Sequence, residues 1–230
     1  MRSRVVLLTL LLAVGLAIPS SAGQLYSNGP VNGTIEAWTI SNGYAVSDSF
    51  VPSGSPMTGV SFGAWLISGD TLSSLYWEVL SGGPDPSAGV TILGSGTASS
   101  FATSLVTTNG GYNVYQETFS VPSVTLTAGN TYWLELQSAS TAEGYAVYWD
   151  ENDGPSQAWQ NGSYITPSYI PVCGEGATGY GGSSSTNSYG ECSQSFTINS
   201  GSPVPEPSSL LLLGTGLLGG IGALRRRFLS

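Results

Sequence analysis

The densest chemistry in the chain is Asp150-Glu151-Asn152-Asp153, three carboxylates and a carboxamide in succession, followed by the chain-turning pair Gly154-Pro155. Hard oxygen donors in a tight loop suit Ca²⁺, so these four residues are a candidate metal site. The spacing is not that of an EF-hand, which alternates its ligands and adds a distal Glu. The opposing expectation is a solvated acidic turn after a strand. Aromatic residues surround the same stretch: Tyr145, Tyr148, Trp149, Trp159, Tyr164 and Tyr169. Flat rings on a β-scaffold can stack on sugars, which makes Trp149, Trp159 and Tyr164 candidate glycan contacts. The opposing expectation places such rings, Trp149 among them, in the core together with Trp38, Trp65, Trp77 and Trp133. Paired carboxylates can also hydrolyse glycosides. Glu78, Glu117, Glu135, Glu143 and Asp150 are the candidates, and the sequence brings no two of them face to face.

Absent residue types narrow the chemistry further. The chain has no His, which excludes Ser-His-Asp and Cys-His catalysis and the usual zinc sites. Its five basic residues are Arg2, Arg4, Arg225, Arg226 and Arg227, so residues 23–202 carry no cationic side chain. Every acidic residue except Glu206 lies in that same segment. A polyanion of this kind repels nucleic acid and anionic lipid and attracts cations. Without Lys there is no Schiff-base chemistry in this segment. No phosphate-binding or dinucleotide fingerprint is present, and Gly94-Ser95-Gly96 reads as a turn. The expectation is a non-enzymatic protein.

The elements that must position these residues are strands. In Leu75-Tyr76-Trp77-Glu78-Val79, positions 75, 77 and 79 share a face and Glu78 points away; in Tyr132–Gln137, positions 132, 134 and 136 point inward and Glu135 out. Further strands are expected at 34–40, 44–50, 58–67, 90–98, 112–121, 145–149 and 194–198. Turn signals separate them, among them Asn42-Gly43 and Asn109-Gly110-Gly111. This pattern predicts an all-β fold, an antiparallel β-sandwich of jelly-roll type, over residues 23–200. Cys173 and Cys192 are expected to pair in an oxidising compartment, stapling the Gly/Ser-rich loop 173–192.

Both ends of the chain read as export signals. Residues 1–22 combine Arg2 and Arg4, the apolar run 5–18 and the small residues Ser20-Ser21-Ala22, a signal peptide by pattern and helical in its apolar part. At the other end, 201–230 reads as a linker, Val204-Pro205-Glu206-Pro207, an uncharged apolar helix over 208–224 and Arg225-Arg226-Arg227. Seventeen helical residues span roughly 25 Å, the lower limit for crossing a bilayer core. The Arg cluster should remain cytoplasmic.

Those three C-terminal parts, in that order, resemble the PEP-CTERM sorting signal of exopolysaccharide-producing Gram-negative bacteria. The resemblance implies transient inner-membrane insertion through 208–224, recognition by an exosortase near Pro205–Pro207 and delivery to the cell surface or extracellular matrix. The body is also similar to the β-sandwich domains often joined to this tail. That similarity rests on Tyr26–Pro30, Ala37–Ile40, Val46–Phe50, Gly69–Leu72, Gly129–Leu134 and Tyr148–Asn152, and it implies fold and sorting only. The expected function is an exported, surface-sorted structural or exopolysaccharide-binding module. The alternatives are a secreted carbohydrate-active enzyme and, last for want of a Thr-x-Thr ladder, an ice-binding protein.

Overall fold

A computed structural model describes residues 23–33, 36–84, 89–152, 154–161, 170–171 and 193–201. The expected signal peptide, Cys173, Cys192, Tyr164, Asp153 and everything after 201 lie outside the described residues. Those described belong to one unit, Gly23–Ser202. They contain no helix; their regular structure is fourteen strands. In chain order these are β1 (Gly23–Ser27), β2 (Ala37–Thr39), β3 (Ala45–Phe50), β4 (Met57–Ile67), β5 (Leu72–Ser81), β6 (Thr91–Ala98) and β7 (Ala102–Asn109). There follow β8 (Tyr112–Val124), β9 (Tyr132–Thr141), β10 (Tyr148–Asn152), β11 (Ala158–Asn161), β12 (Ile170–Pro171), β13 (Ser193–Gln194) and β14 (Phe196–Ser200).

Two antiparallel sheets result. The eight-stranded sheet runs β1-β14-β4-β10-β13, with β2 on β10 and β8 and β7 continuing from the other side of β4. The six-stranded sheet runs β12-β11-β3-β9-β5-β6. The turns follow their sequence signals. Asn42 and Gly43 both take positive φ, and the Tyr44 amide donates to the Ser41 carbonyl, which closes a tight primed turn.

Period-two patterning decides which face of each strand is covered. Val60, Phe62, Ala64 and Leu66 of β4 share one core with Leu75, Trp77 and Val79 of β5 and with Tyr132, Leu134 and Leu136 of β9. That core joins the two sheets: Phe50 of β3 meets Phe196 of β14 edge-on, with centroids 6.1 Å apart. This is the arrangement a β-sandwich requires. A second, smaller cluster of Ala37, Trp65 and Val114, with Val31, Tyr112 and Tyr148 packed on it, lies on the opposite face of β4.

The inward faces of β5 and β9 follow the predicted alternation, while three sequence expectations change. Gly94-Ser95-Gly96 is strand, not turn: a Cβ on Gly94 would stand 2.7 Å from Val124 Cγ2, while one on Gly96 would only touch the Trp77 ring at 3.5 Å. Trp133 lies on the Glu135 side of β9, away from the main core, and is only half-buried. The expected strand 145–149 forms later, as Tyr148–Asn152, and absorbs most of the acidic cluster.

Candidate functional site

Asp150, Glu151 and Asn152 are buried strand residues, not an exposed acidic turn. Alternation along β10 sends them to different places. Trp149 enters the main core, its ring edge-on to Phe62 (6.3 Å) and 5.7 Å from Phe196. Its indole N–H donates to the Ser195 carbonyl at 2.9 Å. A fully buried ring has no face to offer a sugar, so Trp149 is a core residue and not an exposed glycan contact.

Asp150 points the other way and holds the covering segment Val31–Gly33 against the sheet. Its Oδ1 accepts from Trp65 Nε1 (2.6 Å) and the Gly33 amide (3.0 Å). Its Oδ2 accepts from the Asn32 amide (2.9 Å) and Ser195 Oγ (3.1 Å). Protein donors thus engage both oxygens, and burial raises the carboxyl's pKa against these hydrogen bonds. Asn152 Nδ2 donates to the Asn28 carbonyl, and Asn152 Oδ1 accepts from the Gly154 amide at 3.0 Å. The run that reads as one metal loop is therefore divided between two faces of a strand. Among the described residues no three His, Cys, Asp or Glu side chains group around a common point.

Register brings other candidates together on the outer face of the six-stranded sheet. Trp159 stands opposite Ser47, Ser47 opposite Glu135, Glu135 opposite Glu78 and Glu78 opposite Ser95. Directly opposed side chains share a face, with Cβ atoms about 5 Å apart. Glu78 and Glu135 are thus cross-strand neighbours. Glu78 Oε1 accepts from Tyr76 Oη (2.9 Å) and Glu135 Oε1 from Gln137 Nε2 (2.8 Å). Glu135 is fully buried and Glu78 nearly so, whereas Trp159 keeps partial exposure. The other carboxylate candidates stand apart from this pair. Glu117 faces the core opposite Phe62, taking a hydrogen bond from Thr103 Oγ1 (2.7 Å), and Glu143 is an exposed residue.

A polar group that was not among the sequence candidates lies between the sheets. Asp48 occupies the inward face of β3, in step with Val46 and Phe50. Its Oδ2 accepts from the Gln194 amide (2.6 Å), Asn28 Nδ2 (3.2 Å) and Ser193 Oγ (3.3 Å). Burial pushes its pKa up to about 7, opposed by hydrogen bonds from Ser156, Gln194, Ser49 and Ser193. Asn28 joins this cluster through Ser156 Oγ (2.6 Å), the Gln194 carbonyl (2.7 Å) and Ser193 Oγ. The lone Asp in Val46-Ser47-Asp48-Ser49-Phe50 is the signal that could have found it: a charge on the inward phase of an otherwise apolar alternation.

The comparisons bear on the C-terminal segment. Residues 203–227 match the family described as the PEP-CTERM protein-sorting motif. The chain carries that motif. The match takes in Val204, Pro205, Glu206 and Pro207, the apolar run and Arg225–Arg227. A PEP-CTERM motif implies an exported, membrane-anchored precursor that interacts with an exosortase. No curated protein matches the chain.

Proposed function

We propose that this PEP-CTERM protein delivers a non-catalytic β-sandwich module to the cell surface or extracellular matrix, where it associates with exopolysaccharide. The observation that carries the reading is the sorting motif at 203–227, joined to an ectodomain with no cationic side chain. Support for a non-catalytic role comes from the described carboxylates, most of which are buried. Asp150 holds a covering segment, while Asp48 and Glu117 face the space between the sheets. Trp159 is the glycan candidate that retains exposure, on the face it shares with Ser47, Glu135, Glu78 and Ser95. The test is co-sedimentation of the exported protein with the exopolysaccharide of its producing cells. Saturable retention that falls about tenfold in Trp159→Ala, the loss expected when a ring worth roughly 1.4 kcal/mol is removed, supports the reading. Absence of retention at any concentration refutes the glycan association.

One observation favours a second reading, a glycoside hydrolase: Glu78 and Glu135 face each other across neighbouring strands. Retaining glycosidases hold two carboxyl groups about 5 Å apart. Against it stands the burial of both residues, since a catalytic pair must admit a sugar. New reducing ends released from the polysaccharide, and lost in both Glu78→Gln and Glu135→Gln, would establish this reading over the first.

A further inference from the structure

Two strands end their sheets on the same side of the sandwich. Among the described residues β6 pairs only with β5, and β7 only with β8. β6 lies close against β8, since a Cβ on Gly94 would stand 2.7 Å from Val124 Cγ2. Both open edges therefore border β8, one from each sheet. Each presents a row of backbone N–H and C=O groups to which no described strand is paired.

The side chains on these edges set them apart from the rest of the surface. Six large hydrophobic side chains are exposed among the described residues, and four of them stand here: Ile92 and Leu93 on β6, Leu105 and Val106 on β7. The register of β7 on β8 slips between Leu105 and Thr107. That bulge breaks the alternation, and both Leu105 and Val106 stay on the surface, 56% and 43% exposed. Charge is missing as well. Residues 86–116 hold no acidic or basic residue, and all the carboxylates of 23–202 lie before or after them.

Sheet edges in soluble proteins are guarded by Lys, Pro, charges, bulges or a covering segment. β7 has the bulge and none of the guarding residues, and its side chains are exposed almost throughout. Eight residues rich in Thr, Val and Leu, without Pro, Gly or charge, have the composition of a strand that pairs with another chain. β6 is the poorer template, because Gly94 and Gly96 weaken it and its own register slips opposite Val79 and Leu80.

We propose that β7 is the docking edge for a second copy of this chain, pairing antiparallel with its equivalent and joining two eight-stranded sheets into one. Charge and symmetry select this partner. Two polyanions repel over most of their surfaces and approach closely only where each is uncharged. A cationic partner is steered to the acidic surface instead, away from this strip. A two-fold contact sets the same patch on both sides, so one unpaired apolar edge meets another. In an antiparallel pair the two strands are equivalent, as that symmetry requires. β7 lies in the other sheet from Trp159 and outside the sorting motif, so the pairing is independent of the glycan and sorting readings.

The experiment is sedimentation of the full-length chain in detergent over a range of concentrations, with hydrogen exchange followed by mass spectrometry on the same samples. The pairing predicts a monomer–dimer equilibrium in which the amides of Ala102–Asn109 exchange more slowly as dimer forms. A Leu105→Glu, Val106→Glu double variant sets like charges against each other across the two-fold, and its dimer should be at least about tenfold weaker. Val51→Glu, at an exposed apolar residue off these edges, should leave the dimer unchanged. A chain that stays monomeric at every concentration overturns the proposal. So does a dimer unweakened in the double variant, or one whose 102–109 amides exchange as fast as in the monomer, since such a dimer is held elsewhere. The exchange result on wild type decides even if the double variant does not fold. An open-ended series of larger species overturns the two-fold pairing.

Discussion

At the scale of single residues, the unusual feature is a set of carboxylates folded inward with no basic side chain among the described residues. Glu117 shows the consequence in isolation. It faces the core opposite Phe62, and burial pushes its pKa up to about 7 against one hydrogen bond from Thr103. An acid whose folded pKa lies above its unfolded value, here 4.5, binds its proton more tightly in the folded state. The stability this contributes is fully present below about pH 4.5, declines between there and about pH 7, and is gone above. Urea unfolding midpoints should therefore fall across that window, and Glu117→Gln should flatten the fall. An unchanged slope in the variant would show that Glu117 is not held as the structure places it. Sequence alternation reveals the outward phase of Glu78 and Glu135 but not their burial, because burial depends on what lies over the sheet rather than on the strand itself. The inward phase of Asp48 and Glu117 violates the pattern that identifies strands, so a reading that assigns charge to solvent misses both.

At the scale of elements, most of the sheet was legible from sequence because long strands repeat their signal. The strands β3, β4, β5, β8 and β9 begin or end within a few residues of their expected limits. The edge strand β7 was not legible: Ala102–Asn109 is almost wholly exposed and carries Leu105 and Val106 on the surface, so no alternation marks it. Strand β10 was displaced for the opposite reason. Its acidic residues look like a turn until Trp65, Ser195 and the Val31–Gly33 segment arrive from elsewhere in the chain to satisfy them. This close approach needs Gly63 on β4. A Cβ there would stand 2.6 Å from Asp150 Cβ and 2.9 Å from Val31 Cγ1, and closer still to Ser195 Oγ. Gly63→Ala should destabilise the domain by roughly 1–3 kcal/mol through overpacking, read as a lower urea midpoint with an unchanged m-value. A neutral or stabilising result would mean that the covering segment does not press on β4.

At the scale of the whole molecule, the charge distribution and the sorting motif belong to one design. The chain keeps its cationic side chains at its two ends, and residues 23–202 between them are a polyanion. The PEP-CTERM motif at 203–227 couples that part to an exosortase. The motif was legible in sequence because it is an ordered string of a Pro/Glu signal, an apolar run and an Arg cluster, readable without any tertiary contact. The polar group around Asp48 was not, because Asn28, Ser193 and Gln194 reach it only when the two sheets close over one another. Whether the motif acts as a sorting signal is decided by the fate of the C-terminus in producing cells. Mass spectrometry of the surface or released protein, wild type beside a Pro205→Ala, Pro207→Ala double variant, reads it. The account predicts that wild-type surface protein lacks Arg225–Arg227, while the variant keeps them and stays in the membrane fraction. Surface protein that retains the intact segment 203–227, or a variant processed like wild type, would contradict it.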